Sequence, residues 1–196
     1  MVTACLVTRG DVDMTPVIGS LPPEWPVVVW DNSRKAQDWA VYGRYAATYE
    51  AESDLIYVQD DDCLVSDPRA LVALWHEWSD RRGGAVDHVV CNMPQEFRHV
   101  FYAFNHALVG FGAVFHRTLP PQIPVPWENP LEMRKFLRCC DIAFTARFPR
   151  VFADVPVTNL PHAHADNRMW KQPNHQFERA AFLERVLAGS TRERLA

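Results

Sequence analysis

No stretch of about eighteen apolar residues runs through the 196-residue chain, so no membrane-spanning helix is expected. The amino terminus, MVTACLVTRGDVD, has neither a basic start nor a long apolar core, so no secretory leader is expected. Cysteine is sparse. Cys5, Cys63, Cys91, Cys139 and Cys140 are odd in number and form no CxxC pair. That pattern argues against a disulfide framework or a zinc site and reads as reduced thiols in a cytoplasmic protein. No internal repeat and no low-complexity linker divides the chain. No continuous basic run argues for a nucleic-acid partner.

What is present is apolar residue in quantity, 48% of the chain, which is enough for one domain with a full core. The net charge of −4 conceals an asymmetry. Residues 1–98 carry 8 Lys and Arg against 16 Asp and Glu, and residues 99–196 carry 12 against 8. The first half suits a cation and the second suits phosphates, although uneven surface charge is also common.

Short apolar runs at 4–8, 26–30, 54–58 and 85–93 predict strands, with helical patterns at 40–51 and 67–82 between them. Asp67 and Pro68 mark the start of the second helix. Residues 107–116 predict a strand with a glycine bend. A proline-rich connection follows at 120–130. Then come one broken helix or two over 131–148, a strand at 150–157, a loop at 158–176, and a closing helix that stops at Gly189. Alternating strands and helices predict an α/β fold: a mostly parallel central sheet flanked by helices. Ligands of such sheets sit at the carboxyl ends of the strands. Three polar turns lie there: TRGD after the first strand, DNS after the second and DDD after the third. If the strands are neighbours, the turns converge.

Asp60, Asp61 and Asp62 are the unusual feature, because three like charges end an apolar strand. Hard divalent cations take carboxylate oxygens and bridge them to substrate phosphates. The bland alternative is an acidic turn before the next helix.

SDLIYVQDDD resembles the DXD region of GT-A glycosyltransferases, the family-2-like and exostosin-like members above all. The resemblance extends in order from LVTRG to DNRMWKQPNH. It implies a single Rossmann-like GT-A domain over 1–196, with a nucleotide-binding half (1–93) and an acceptor and lid half (94–196). It implies transfer of a sugar from a nucleotide diphosphate, with UDP favoured, in the presence of Mn²⁺ or Mg²⁺. Thr8, Arg9, Asp31 and Asn32 would then hold the nucleotide, with Ser33 beside them. Their other reading is ordinary turn chemistry. Arg44 would reach the nucleotide or only solvate its helix. Asp60 falls near the ribose, Asp62 on the metal, and Asp61 in either role. A late loop would add a metal-ligating histidine, His164 ahead of His162, with His175 a further candidate. Arg168 and Lys171 would meet the diphosphate, and Trp170 would pack on the lid.

Gly110, Phe111 and Gly112 resemble the segment lining the donor-sugar pocket, or mark a bulge. RCCDIAF resembles the family's Glu-Asp motif with Cys140 in place of the Glu, so Asp141 alone is carried over as catalytic base or orienting acid. It would otherwise be a helix N-cap. The aromatic stretch 94–106 suits either an acceptor border or core. The acceptor itself is left open between a small molecule, a protein and a nucleic acid. The rival readings are a haloacid-dehalogenase-like phosphatase, in which Asp60 and Asp62 fit the motif but Leu64 does not, and a non-catalytic nucleotide-sugar-binding module. A sugar nucleotidyltransferase would need a glycine-rich phosphate loop, which TRGDVDMTP is not.

Overall fold

The computed structural model describes residues 1–95, 109–120, 130–166, 168 and 171–193. Six strands form one sheet: β1 (Val2–Thr8), β2 (Val27–Asp31), β3 (Leu55–Gln59), β5 (Val89–Asn92), β6 (Ala113–His116) and β7 (Arg150–Ala153). Their order is β2-β1-β3-β6-β5-β7. β6 pairs antiparallel with both neighbours, and the other pairings are parallel. Five strands therefore run one way, as the buried apolar runs predicted. A second, two-stranded sheet pairs β4 (Cys63–Val65) with β8 (Val157–Asn159).

Strand alternation sorts the core onto the two faces. Cys5, Ile56, Val58, Cys91 and Phe115 face one way. There they meet α2 (Gly43–Ala46) and α4 (Pro130–Thr145), through Tyr45, Leu137, Cys140 and Phe144. Ala4, Leu6, Tyr57, Val90 and Val114 face the other way. They meet α1 (Thr15–Gly19) and α3 (Pro68–Arg81), through Val17, Leu71 and Trp75. Each large apolar side chain buried this way contributes roughly 1.5–3 kcal/mol. Asp67 Oδ1 accepts the Ala70 amide at 3.2 Å and Pro68 opens the helix, so α3 begins where its sequence predicts.

Other expectations are corrected. Residues 40–50 form a 3-10 turn, the single turn α2 and a second 3-10 turn rather than one helix. The stretch 131–148 carries one continuous helix, α4, not a broken one. The strand expected at 150–157 is two, β7 and β8, because the chain leaves the main sheet to pair with β4. The closing helix α5 (His175–Glu193) runs through Gly189 instead of stopping there. The proline-rich 121–129, most of the aromatic stretch (96–106) and Trp170 lie outside the described residues.

The order β2-β1-β3 makes the three polar turns neighbours. Thr8 lies opposite Asp31, and Leu6 opposite Gln59. The chain passes from β1 to one side and then returns to the other, which leaves a crossover point beside β1 where such sheets bind ligands. The DDD turn is at that point.

Candidate functional site

The aspartate turn is fastened on both sides. Gln59, fully buried, accepts the Tyr57 hydroxyl at 2.6 Å and donates to the Cys63 carbonyl at 3.0 Å, closing the turn between β3 and β4. The Asp60 amide donates to the Gly110 carbonyl at 2.8 Å. A Cβ on Gly110 would stand 2.1 Å from Asp60 Oδ2. The glycine is therefore required by the carboxylate of Asp60, which sits where a side chain would be. Gly112 turns at φ +103°, and Asn92 Nδ2 donates to the Phe111 carbonyl at 2.9 Å. The glycine bend thus supports the turn from beneath.

Arg44 is not a solvated helix residue. It is fully buried, with Nη2 2.5 Å from Asp60 Oδ1 and Nε donating to the Val41 carbonyl at 3.0 Å. Nη1 is buried and has no hydrogen-bond partner among the described residues. Asp141 also acts on Arg44 electrostatically. Asp141 is buried in the middle of α4, so it is not an N-cap. Tyr45 donates its hydroxyl to Asp141 Oδ1 at 2.9 Å. Oδ2 accepts no hydrogen bond among the described residues.

Asp61 is buried, and its Oδ1 lies 3.1 Å from Nη1 of the equally buried Arg168. Its carbonyl meets His162 Nε2 at 2.8 Å, and Arg168 Nε donates to the His162 carbonyl at 2.9 Å. The Leu160 amide donates to the Asp62 carbonyl at 2.8 Å. The His-bearing segment is thus docked on the aspartate turn. His164 is exposed, and its carbonyl accepts from Lys171, which also lies 3.2 Å from Asp166 Oδ1.

Asp62 differs from its neighbours. Its carboxylate has no hydrogen bond or ion pair with another residue's side chain among the described residues. Burial and the nearby Asp61 push its carboxyl up, while Arg168 and His162 pull against them. Burial also raises Asp60, to about 7, and Asp62, Asp141 and Asp61 add to the rise against Arg44. Four carboxylates stand here with two guanidinium groups, a formal excess of two negative charges.

That excess is the fit test for a cation. Among the described residues no three His, Cys, Asp or Glu side chains form a group able to hold a metal ion. The carboxylates of the turn could hold a hard divalent cation together with a phosphate ligand, Asp62 being the one without a side-chain partner among the described residues.

The other expected residues behave as turn formers. Asp31 Oδ1 accepts the amide of Ser33 at 2.9 Å and its hydroxyl at 2.6 Å, and Oδ2 meets Arg34 at 3.1 Å. Asn32 commits its whole amide to the loop. Its Oδ1 accepts from Trp30 and from the Trp39 amide, and Nδ2 donates to the Ala40 carbonyl. Thr8 Oγ1 accepts the Gly10 amide at 3.1 Å, and Arg9 pairs with Asp11 at 2.6 Å. Gly10, at φ +78°, lets the first turn close on the second, since a Cβ there would lie 2.3 Å from Ser33 Oγ.

Sequence reasoning passed over Tyr45, Gln59 and Gly10. Each is the neighbour of a residue that was singled out, Arg44, Asp60 and Arg9 respectively, but none carries a local signal of its own role. A cavity of about 340 Å³ opens at the opposite end of the sheet, lined by Glu52, Asp54, Trp75, His76 and His116 among others.

No protein-family model and no curated protein matches the chain. Among solved structures it is similar to A197 from STIV, with 12% identity and a TM-score of 0.50 over 81% of this chain and 85% of that one. HddC from Yersinia pseudotuberculosis is matched at 8% identity and a TM-score of 0.41, over 92% and 76% of the two chains. The same protein complexed with GMP-PN is matched at 9% and 0.41, over 90% and 76%. No helix among the described residues is long and apolar enough to cross a membrane. The likeness to A197 is one of fold alone, that of an α/β sheet flanked by helices.

Proposed function

We propose that the chain is a metal-dependent glycosyltransferase of GT-A type that takes a sugar from a nucleotide diphosphate, with UDP the first nucleotide to test. The observation that carries this reading is Asp62, the one aspartate of its turn without a side-chain partner among the described residues, in a group with two negative charges in formal excess. A divalent cation, Mn²⁺ or Mg²⁺, would supply Lewis-acid stabilisation of the departing diphosphate.

The chain's own residues divide the remaining work. Asp60 is held by Arg44 and Gly110 as a fixed wall of the site. Asp61 anchors Arg168, which keeps a cation beside the turn, with Lys171 three residues further on. Preorganised cations of this kind favour charge developing on a leaving phosphate. Asp141 is fixed through Oδ1 by Tyr45. Its Oδ2 remains to take the proton of an acceptor hydroxyl or to hold that hydroxyl in line. The phosphatase reading needs a free Asp60 as nucleophile, and the ion pair with Arg44 gives it no support.

Calorimetric titration of UDP and then GDP, with and without Mn²⁺, tests the proposal on the native protein and on Asp62→Ala. One nucleotide should bind only with metal, and Asp62→Ala should weaken it at least about 100-fold, or roughly 2.7 kcal/mol. No nucleotide binding under any metal would sink the reading.

A further inference from the structure

Helix α4 carries Arg134, Arg138 and Asp141 at spacings of four and three, which sets them on one stripe. Its neighbouring faces are occupied. On one side Met133 accepts from Gln37 at 3.4 Å, and Phe136 meets Tyr42 in a tilted ring contact at 5.8 Å. On the other side Cys139 and Ile142 pack on Leu183 of α5. Arg134 and Arg138 are exposed between these contacts, and neither has a carboxylate partner among the described residues.

α5 adds further positive charge. Arg179 is buried, with Nη1 3.5 Å from the Arg138 carbonyl, and His175 lies one turn before it. Burial, then Arg179 and Arg138, push the His175 imidazole down to about 4. The nearest acid of α5 is the exposed Glu178, which reaches Cys139 electrostatically as Arg138 and Arg179 do. Cationic groups brought together on two packed helices, with two guanidinium forks that meet no carboxylate among the described residues, match the oxygens of a phosphoryl group.

We infer that Arg134 and Arg138, backed by Arg179, bind a phosphoryl group of the acceptor, so that the acceptor is a small phosphorylated molecule. The inference rests on the glycosyltransferase reading for the place of Asp141 on the acceptor side. Helix rise puts Arg138 about 4.5 Å and Arg134 about 10 Å along the axis from Asp141. The acceptor hydroxyl is then expected roughly 5–10 Å from the phosphorus, the span of a sugar phosphate or a glycerol phosphate. This cation set is separate from Arg168, which is engaged with Asp61.

Inorganic phosphate, sn-glycerol 3-phosphate and glycerol are the probes, titrated by NMR on the native protein, the double variant Arg134→Gln/Arg138→Gln, Asp62→Ala and Arg168→Gln. Both phosphates should bind in the millimolar range and glycerol should not. The double variant should weaken them at least about tenfold, with melting temperature and metal-dependent UDP binding unchanged. Asp62→Ala should leave phosphate binding intact. Phosphate binding that survives the double variant overturns the inference. So does binding lost instead in Arg168→Gln, or none detected up to about 50 mM. If UDP fails to bind at all while the phosphates bind through Arg134 and Arg138, the donor reading falls and the anion site stands.

Discussion

The turn after β2 and the turn after β3 begin alike, each with an acid at the carboxyl end of a parallel strand. Asp31 finds its partners locally, in the amide and hydroxyl of Ser33 and the exposed Arg34. The Ser33 hydroxyl holds its carboxyl below the ordinary carboxylate range. Asp60 takes its partner from a fully buried arginine sixteen residues earlier, and its carboxyl is still pushed up, to about 7, by burial and three neighbouring acids, although its side chain stays 36% exposed. The difference is position. β2 is an edge strand of the main sheet, and its turn is solvated. β3 is interior, and its turn is walled by Gly110 and faces Asp141 on α4. An acidic turn that satisfies itself is a turn. One that imports two arginines and still leaves a carboxylate over is what the proposed donor site rests on.

The largest expected effect breaks the inner pair. Arg44→Met leaves Asp60 and Asp141 without their buried cation and should cost roughly 3 kcal/mol of stability in urea denaturation. Arg34→Met, which removes the partner of Asp31, should change stability by less than about 0.5 kcal/mol. Equal losses in the two variants would show that the turns are energetically the same.

The pH dependence of metal-free protein should separate them by sign. Asp60 has a folded-state pKa above its unfolded value, so the folded chain binds the extra proton between about 4 and about 7. Its contribution makes stability fall as pH rises through that window, and Asp60→Asn should flatten the slope. Asp31 is shifted down, so its contribution is present above the ordinary carboxylate range and is lost as pH falls. Melting temperatures from about pH 2 to about pH 8 in a chelator read both. An Asp60→Asn curve that parallels the native one would remove the distinction.

Much of the main sheet was legible because strands buried on both faces are short apolar runs, as ACLVT and LIYV are. The helix at Pro68 was legible from its cap and first residue. β4 and β8 were not, since three-residue strands pair across ninety-odd positions and carry no local signal. The run of three aspartates marked the place of the candidate site, but not its wiring. Nothing near Arg44 in sequence says that its guanidinium is buried against Asp60, because GRYA reads as any exposed helix turn. Asp141 was found only through the resemblance, and its partner Tyr45 was not found, because their contact joins residues 96 apart.

The smallest effect tests whether Asp31 is only a turn former. Asp31→Ala removes the acceptor for the Ser33 amide and should cost about 1 kcal/mol or less, since water reaches this turn. Asp31→Asn keeps an acceptor oxygen and should recover at least half of that loss. If local hydrogen bonding is the whole role, Asp31→Asn binds UDP with Mn²⁺ as the native protein does, whereas Asp62→Ala does not. A loss of nucleotide affinity in Asp31→Asn as large as that in Asp62→Ala would make the solvated turn part of the donor site. The low-lying carboxyl of Asp31 would then matter for the ligand it receives rather than for the loop it closes.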